Sequence, residues 1–387
     1  MPGRTYSPVQ MIERLVAFDT TSRASNLELI AFVADYLASH GVKSTLIHNA
    51  ERTKANLYAT VGPADVGGVA LSGHTDVVPV DGQDWHSDPF KVKAEGGRLY
   101  GRGTADMKSF SAVALALLPE FLAARLKTPV HLALSYDEEV GGLGAPDIVA
   151  HMQKAGPRPK LVIVGEPTEM TVVDAHKSVV AVDTIVTGLE AHSSATHRGV
   201  NAIMAAADMM VFLGRLAEEL EASGNPTAHR FDPPYSTVSV GGVEGGTARN
   251  IIPRHCCFKW AARMLPGETT DDLLRRMNEH AEQAVLPPLR KVYPEVSIVN
   301  RVTGNMPSLH PEPGSAAETL ALALVGSNRT HAVSYGTEAG MFQAIGVPTI
   351  VCGPGNIREA HKPDEYIELS QVEACVGFMR RLIARLS

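Results

Sequence analysis

Short apolar runs alternate with amphipathic stretches along the first part of the chain. Each run is bounded by Gly, Pro or polar residues, which is typical of strands, and the longer amphipathic stretches are typical of helices. The predicted strands span about 43–47, 56–61, 68–72, 128–135 and 160–164, and the predicted helices about 7–18, 26–39 and 107–124. Strands that alternate with helices predict an α/β fold with a mostly parallel sheet flanked by helices.

The pattern changes in the middle of the chain. Strands with one solvated face are predicted at 179–187, 236–243 and 255–263, a further strand at 296–301, and helices at 201–222 and 270–284. The resulting order, strand–helix–strand–strand–helix–strand, is that of a ferredoxin-like α+β unit. The α/β rhythm then resumes, with helices near 316–325, 338–345 and 371–386 and a strand at 349–352. We therefore expect an α/β domain in two parts, residues 1–177 and 304–387, with a second domain inserted at 178–303.

Composition narrows the class of protein. Of the 387 residues, 35 are Lys or Arg and 42 are Asp or Glu, which gives a net charge of −7, and 5% are aromatic. Such a chain lacks the phosphate-neutralising and base-stacking surface of a typical nucleic-acid-binding protein. The four cysteines form no Cys-x-x-Cys pair, the N-terminus lacks the apolar core of a signal peptide, and no uncharged apolar run reaches 18 residues. We expect a soluble, cytoplasmic protein without a nucleic-acid or membrane partner.

Five segments carry side chains of the kind that ligate metals. They are 71–79, 101–109, 135–142, 162–169 and 355–366, and four of them directly follow a predicted strand. In parallel α/β sheets, ligand sites lie beyond the carboxyl ends of the strands. We therefore expect the candidate side chains to converge there; they are His74, Asp106, Glu138, Glu139, Glu166 and His361.

His74 and Asp76 stand two residues apart, so in extended backbone both side chains point to one face. This spacing suits a metal-bound imidazole whose second ring nitrogen is held by a carboxylate. The alternative is a surface histidine beside an acidic turn, and the other four segments favour the metal interpretation.

Each acidic candidate also has an ordinary structural alternative. Asp106, in a Gly-rich loop before a helix, is either an N-cap or a carboxylate that bridges two cations. Glu138 and Glu139 form either a solvated acidic turn or a pair in which one binds metal and the other acts as general base on water. Glu166, at the tip of an apolar strand, is either a ligand or a turn residue.

The set of donors predicts the metal and the chemistry. Imidazole and carboxylate donors without thiolates favour Zn²⁺, Co²⁺ or Mn²⁺. More than four candidate ligands indicate two metals, about 3.5–4 Å apart, that share a carboxylate and a water. Hydrolysis at such a centre needs no serine or cysteine nucleophile, and the chain has no Gly-x-Ser-x-Gly motif.

Several motifs in a fixed order are more specific than any of these residues alone. They are GHTDVVP, GRGTADMK, DEEVGG, GEPT, AHSS, NIIP and AHKPDEY. With them the chain resembles, nearly end to end, the zinc-dependent family of aminoacylases, acetylornithine deacetylases, succinyl-diaminopimelate desuccinylases and carboxypeptidase G. The resemblance implies a zinc exopeptidase-like α/β domain with an inserted ferredoxin-like domain that acts as lid and dimerisation surface.

The resemblance also implies a role for each matching residue. The implied ligands are His74, Asp106 and Glu166 for one zinc ion and Asp106, Glu139 and His361 for a second. Glu138 is then the general base and acid, and Asp76 orients His74. A cis peptide bond between Asp106 and Met107 is implied as well. The expected cofactor is two Zn²⁺ per subunit, with Co²⁺ as a substitute.

The inserted domain carries further residues implied by the resemblance. His192 matches a histidine that reaches a site across the dimer and stabilises the oxyanion, and its Ala-His-Ser context favours it over His197. Asn250 and Arg263 match substrate-binding positions. Their separation of 13 residues suits two adjacent antiparallel strands. Arg263 offers a fork for a substrate carboxylate, although on its own it is more simply a surface charge on a strand.

Within the family, HTDVVPVDGQDWHSDPF, VSYGTEAGMF and CGPGNIREAHKPDEY most resemble the acetylornithine deacetylases. The implied protein is a homodimeric, dinuclear zinc amidohydrolase that removes the acetyl group from N-acetyl-L-ornithine in arginine biosynthesis. Gly336, Thr337 and Glu338 belong to a loop that is expected to border the substrate. We expect Glu338 to pair with the cationic side-chain amine that ornithine carries.

Other readings stay open. The nearest is another specificity in the same family, namely a desuccinylase, a general N-acyl amino acid aminoacylase or a dipeptidase. A metal-binding dimerisation module without catalysis is a second, and the complete set of ligand and base positions disfavours it. A nicotinamide or nucleotide enzyme is disfavoured because GRGTAD and GGLGA fit neither the Rossmann nor the P-loop spacing.

Overall fold

The computed structural model describes residues 4–154 and 156–387, which form two compact units. Unit 1 runs up to Ala175 and includes Leu309–Ala332 and Thr337–Ser387; unit 2 comprises His176–Ser308 and Val333–Gly336. The expected limits of the inserted domain, 178 and 303, lie two and five residues inside the long segment of unit 2. The short segment 333–336 is not anticipated by the sequence pattern, and the role of unit 2 as lid and dimerisation surface stays a prediction.

The strands and helices follow one another along the whole described chain. The strands are β1 Ser44–His48, β2 Ala55–Val61, β3 Val69–His74, β4 Lys93–Glu95, β5 Arg98–Tyr100, β6 Val130–Ser135, β7 Leu161–Pro167, β8 Val172–His176, β9 Val179–Thr187, β10 Ala191–His192, β11 Thr237–Gly245, β12 Ile251–Ile252, β13 His255–Arg263, β14 Ser297–Met306, β15 Thr330–Val333, β16 Thr349–Gly353 and β17 Tyr366–Glu368. The helices are α1 Pro8–Val16, α2 Leu27–Ser39, α3 Lys108–Ala116, α4 Leu118–Ala123, α5 Ala145–Lys154, α6 Ala202–Glu221, α7 Thr270–His280, α8 Leu286–Arg290, α9 Ala316–Val325, α10 Ala339–Ala344 and α11 Leu369–Leu386.

An eight-stranded sheet in the order β1-β2-β6-β3-β7-β16-β8-β15 is the centre of unit 1. The four strands β6, β3, β7 and β16 pair in parallel and are buried along their whole length, as expected for apolar strands covered by helices. β1 and β2 on one side, and β8 on the other, pair antiparallel with their neighbours. The expected α/β class with a parallel centre is confirmed.

The predicted helix at 107–124 is instead two helices, α3 and α4, which meet at Leu117. The cause is Pro119, which has no N–H to donate to the carbonyl of Leu115 four residues earlier. That buried carbonyl accepts a hydrogen bond from the hydroxyl of Tyr36 at 3.2 Å. The break therefore leaves no unpaired acceptor at Leu115.

Unit 2 contains an antiparallel four-stranded sheet in the order β11-β13-β9-β14. Side chains of β9 alternate between buried and half-buried, and Phe258 and Trp260 of β13 lie in a core with residues of α6 and α7. Strand order and connections are those of a ferredoxin-like unit, as predicted. One expectation is wrong: Asn250 and Arg263 do not lie on two paired antiparallel strands. Asn250 precedes β12, which pairs with β10 in a separate two-stranded sheet, whereas Arg263 ends β13.

Unit 1 also contains a three-stranded sheet of β17, β5 and β4. The sequence pattern does not predict it, because each strand has only three residues. It ties the segment after Asp364 to the segment before Gly101, and the amide of Gly101 donates to the carbonyl of Glu365 at 2.9 Å. This sheet brings two of the predicted ligand segments side by side. Across the described part of the chain, no helix combines the length and apolar character needed to cross a membrane.

Candidate metal centre

The carboxyl ends of three parallel strands bring the predicted segments together. In the order β6-β3-β7, His74 is the last residue of β3 and lies opposite Ser135, the last residue of β6. Glu138 and Glu139 follow β6 within four residues, and Glu166 lies one residue before the end of β7. Each strand is mostly apolar where it is buried between helices, and the predicted ligands come at or after its carboxyl end.

Asp106 lies between the two predicted histidine ligands. Its Oδ1 is 3.1 Å from Nε2 of His74, and its Oδ2 is 3.1 Å from Nε2 of His361. Nε2 of His361 is also 3.1 Å from Oε2 of Glu139, and Nε2 of His74 is 3.9 Å from Oε1 of Glu166. One carboxylate thus faces an imidazole with each of its oxygens, which is the arrangement that a bridging ligand requires.

The residues fit a site for divalent metal ions. Among the described residues, two triplets have ligand atoms that all lie within 4.8 Å of one another: His74, Glu138 and Glu166, and His74, Asp106 and Glu139. Oε1 of Glu139 is buried and has no hydrogen-bond partner within the described chain. A buried carboxylate oxygen without a donor is costly unless a cation neutralises it. Imidazole and carboxylate donors are those that Zn²⁺, Co²⁺ and Mn²⁺ accept.

Burial, helped by neighbouring carboxylates, raises the pKa values of three glutamates in the cluster. Burial raises the pKa of Glu139 to about 7, and the nearby Asp106 carboxylate adds to the rise. Burial, with neighbouring carboxylates, raises the pKa of Glu138 and Glu166 well above the usual range. Hydrogen bonds to Asp106 and Glu139 raise the pKa of His361 to about 10. Burial and mutual repulsion therefore disfavour the ionised form of these glutamates, and bound cations would favour it.

The backbone fixes which nitrogen of His74 faces the acidic cluster. Nδ1 of His74 is 3.0 Å from the carbonyl oxygen of Asp76 and 3.5 Å from that residue's Oδ1. A carbonyl oxygen only accepts, so Nδ1 carries the proton and Nε2 is directed at Asp106 and Glu166. The sequence predicts that the Asp76 carboxylate orients His74. In the structure, the main-chain carbonyl of Asp76 is the closer partner of Nδ1.

The carboxylate of Asp76 organises the loop that follows β6. Its Oδ1 accepts from the amide of Glu138 at 3.1 Å, and its Oδ2 accepts from the amide of Glu139 at 3.3 Å. The hydroxyl of Ser22 also donates to Oδ2, at 2.7 Å. Asp76 thereby sets the positions of both adjacent glutamates. No sequence pattern indicates Ser22, because it is a lone serine 54 residues away from Asp76.

A second contact that sequence reasoning missed holds the same loop. Asp137 adopts φ 56°, a left-handed conformation that is uncommon outside glycine and that aspartate adopts more readily than most residues. Its carboxylate pairs with the ammonium of Lys54, which also donates to the carbonyl of Ser22. Lys54 thus links the segment before Glu138 to the segment that carries Ser22.

The expected substrate loop is divided between the units. Gly336 belongs to unit 2, whereas Thr337 and Glu338 belong to unit 1. Glu338 is only 1% exposed, and its Oε1 has no hydrogen-bond partner among the described residues. Burial raises the pKa of Glu338 to about 7, against the opposing effect of the nearby His74. Glu338 therefore lies inside unit 1 with the metal-ligand candidates.

The other predicted residues lie in unit 2. His192 ends β10 and is exposed, and Asn250 is its neighbour because the amide of Ser193 donates to the carbonyl of Asn250 at 3.1 Å. Nδ1 of His192 accepts from the amide of Ser194 at 3.2 Å, which leaves Nε2 as the donor. Arg263 ends β13 opposite Thr237. His197, the rejected alternative, lies in a turn at Thr196–Arg198.

Comparison with known proteins identifies the family. Residues 70–385 match the model of peptidase family M20/M25/M40. The chain belongs to this family. It is similar to the acetylornithine deacetylase of Pasteurella multocida (strain Pm70), with 33% identity over 97% of each chain. It is also similar to the acetylornithine deacetylase of Proteus mirabilis (strain HI4320), with 34% identity over 95% of this chain and 92% of that protein.

The fold agrees with solved members of the family. The M20 family metallo-carboxypeptidase Sso-CP2 from Sulfolobus solfataricus superposes with a TM-score of 0.75 over 98% of this chain and 99% of that one, at 17% identity. Family and fold class, both predicted from sequence, are confirmed. Membership makes this chain a metal-dependent hydrolase of amide bonds. The Asp106–Met107 peptide is cis, as the resemblance implied.

Proposed function

We propose that this chain is a dinuclear zinc deacetylase that hydrolyses N-acetyl-L-ornithine to acetate and ornithine, a precursor in arginine biosynthesis. The main support for the metal centre is the position of Asp106. Its Oδ1 lies 3.1 Å from Nε2 of His74, and its Oδ2 lies 3.1 Å from Nε2 of His361. The substrate is supported by the two acetylornithine deacetylases to which the chain is similar along nearly its whole length.

The proposed ligands divide the centre into two positions. We call the inner position the one formed by His74, Asp106 and Glu166, and the outer position the one formed by Asp106, Glu139 and His361. The names reflect burial, since the side chain of His74 is 1% exposed and that of His361 is 51% exposed. Zn²⁺ ions held by these residues would polarise the substrate carbonyl and lower the pKa of a bound water.

The proton transfers of the proposed reaction belong to Glu138. Its carboxylate takes a proton from the attacking water as the oxygen bonds to the acetyl carbon, and it then gives that proton to the amide nitrogen as the carbon–nitrogen bond breaks. Asp76 holds the amides of Glu138 and Glu139, so the base keeps its place while it changes protonation state. The burial of Glu138 supports this role, because a raised pKa makes the carboxylate a better proton acceptor.

Substrate recognition is proposed for the remaining residues. Arg263 binds the substrate carboxylate through its guanidinium fork, and Asn250 is a second substrate-binding residue. The loop Gly336, Thr337 and Glu338 borders the substrate, and Glu338 pairs with the ornithine amine. Both charges of the substrate would then be matched, which distinguishes it from a neutral N-acetyl amino acid.

We further propose a homodimer through unit 2, in which His192 of one subunit donates from Nε2 to the oxyanion at the other subunit's centre. Strand β11 is an edge of the four-stranded sheet, and its Val240 and Val243 are 38% and 56% exposed. On α6, Met204 and Val211 are exposed as well, at 67% and 57%. An edge strand beside an exposed apolar helix face suits self-association about a two-fold axis.

A complementation experiment tests this shared site. Glu138→Ala and His192→Ala subunits are each expected to be inactive as homodimers. After dissociation and mixing, heterodimers carry one site with both changes and one site with neither, so about a quarter of the wild-type activity should return. No recovery despite proven subunit exchange would mean that His192 does not act across a dimer.

A substrate panel tests the proposed reaction. N-acetylornithine, succinyl-diaminopimelate and N-acetylmethionine are compared at the same zinc content, measured by mass spectrometry. We expect two zinc ions per chain and the highest kcat/KM with N-acetylornithine. A higher kcat/KM for another compound would reassign the specificity within the family, and a metal-loaded protein inert on all three would favour a binding module.

A further inference from the structure

A buried carboxylate outside the ligand set joins two of the ligand segments. Glu365 is 0% exposed, and one of its oxygens, Oε1, accepts three amide hydrogens. They come from Gly103 at 3.0 Å, Ala105 at 2.8 Å and Asp106 at 3.1 Å. These amides lie in an irregular loop just before α3, where no strand or helix partner satisfies them. The Glu365 carboxylate therefore supplies the acceptor that a neighbouring strand or helix turn would otherwise provide, and it fixes the backbone at Asp106.

The other oxygen of Glu365 leads to the second ligand segment. Oε2 accepts from Nη1 of Arg102 at 2.6 Å, and Arg102 is itself 1% exposed. Nη2 of Arg102 donates to Oε1 of Gln83 at 2.6 Å, and Nε2 of Gln83 donates to the carbonyl of His361 at 2.9 Å. A continuous chain of hydrogen bonds thus runs from the backbone of Asp106 to the backbone of His361.

The loop at His361 needs such support. His361 has φ 64° and Asp364 has φ 55°, left-handed conformations that residues other than glycine rarely adopt. The side chain of His361 is also half exposed, so core packing does not hold it. The inner-position ligands His74 and Glu166 differ in this respect, because both lie on strands of the parallel sheet.

We infer that Glu365 is a positioning residue for the outer metal position, acting through Arg102 and Gln83 on Asp106 and His361. The inference rests on the proposed two-metal centre and adds a residue to it that binds no metal. Since the outer position takes both Asp106 and His361 and the inner position takes only Asp106, loss of Glu365 should weaken the two positions unequally. Mutation of a residue that supports metal ligands in this way typically lowers metal affinity by about 10- to 100-fold.

The test uses purified full-length protein dialysed against buffers of falling free Zn²⁺, with bound zinc counted per chain. In Glu365→Gln, an amide NH₂ replaces one oxygen and faces either the three backbone amides or the guanidinium, so one side of the carboxylate loses its acceptor. We expect one zinc ion to be lost at about 10- to 100-fold higher free Zn²⁺ than in wild type and the other to dissociate within about threefold of its wild-type value. Saturating Zn²⁺ should restore most of kcat.

Control variants separate positioning from general damage. Glu368→Gln removes a carboxylate three residues away that pairs with Arg98 at the surface, and both zinc affinities should stay at wild-type values. Arg102→Lys keeps the charge but breaks the fork to Gln83, so it should reproduce the selective loss. Circular dichroism and urea unfolding establish that each variant is folded.

Three outcomes would overturn the inference. They are unchanged affinity for both zinc ions in Glu365→Gln, equal weakening of both, and selective loss in Glu368→Gln. A wild-type protein that binds fewer than two zinc ions would instead refute the proposed centre itself. A wild-type protein that binds two but does not hydrolyse N-acetylornithine would refute only the substrate assignment.

Discussion

The substitution Asp76→Asn removes one acceptor from the carboxylate that holds the amides of Glu138 and Glu139. In the native protein, Oδ1 accepts from the amide of Glu138, and Oδ2 accepts from the amide of Glu139 and the hydroxyl of Ser22. Asparagine has the same shape but only one accepting atom. Whichever way the side-chain amide turns, at least one backbone N–H faces an NH₂ group.

The expected size of the effect follows from that lost contact. A buried hydrogen bond to a charged acceptor contributes about 1.5–3 kcal/mol. If the loss displaces Glu138 from the position at which it receives the proton, it appears in the transition state and lowers kcat/KM by about 10- to 100-fold, mostly through kcat. Ser22→Ala leaves the amides of Glu138 and Glu139 bound to the carboxylate, so it should lower kcat less than Asp76→Asn does.

The assay is hydrolysis of N-acetylornithine, followed by the loss of amide absorbance, with zinc content measured on the same samples. Asp81→Asn is the matched control, because Asp81 pairs with Arg23 at the surface, where both side chains are at least 60% exposed. That variant should behave as wild type. Should fully zinc-loaded Asp76→Asn keep kcat within twofold of wild type, Asp76 would not position the base.

Three further predictions concern other residues. Glu138→Ala should reduce kcat by at least about 10²-fold with two zinc ions still bound, whereas joint loss of zinc and activity would make Glu138 a ligand. Glu338→Gln should abolish the preference for N-acetylornithine over N-acetylmethionine, and an unchanged preference would refute the proposed pairing with the amine. Burial lowers the pKa of His131 from 6.5 to about 4. As the pH falls, this imidazole is therefore protonated in the unfolded protein before it is protonated in the folded protein. About 3 kcal/mol of the free energy of unfolding is lost between about pH 6.5 and about pH 4. Urea unfolding of His131→Gln should show a flatter pH dependence over that range, while the exposed-site variant His331→Gln should match wild type; equal slopes in all three proteins would contradict the reasoning.

The ligand candidates were predictable because each follows a recognisable local pattern. His74 and Glu166 close apolar strands, and the pair Glu138 and Glu139 comes just after another. A strand buried on both faces admits polar side chains only near its end, so the sequence itself marks where the strand leaves the sheet. His361 does not follow its strand directly: it lies farther along the loop after the predicted strand at 349–352, and only its role as a ligand came from the family resemblance.

The supporting contacts were not predictable from local pattern. The Lys54–Asp137 pair spans 83 residues, and the Arg102–Glu365 pair spans 263. A single charged residue in a loop has the same appearance in sequence whether it is solvated or buried against a distant partner. Three-residue strands such as β4, β5 and β17 are likewise too short to display alternation.

The position of β16 in the sheet has a consequence for how the protein is made. This strand lies between β7 and β8, which are complete by His176, yet it begins only at Thr349. A ribosome therefore finishes the long segment of unit 2 before it delivers the strand that fills the middle of unit 1. Pairings between segments so distant in the chain form late and slowly. Unit 1 is thus left with an open gap in its sheet throughout most of translation, and a nascent chain released early would expose two apolar strand edges to aggregation.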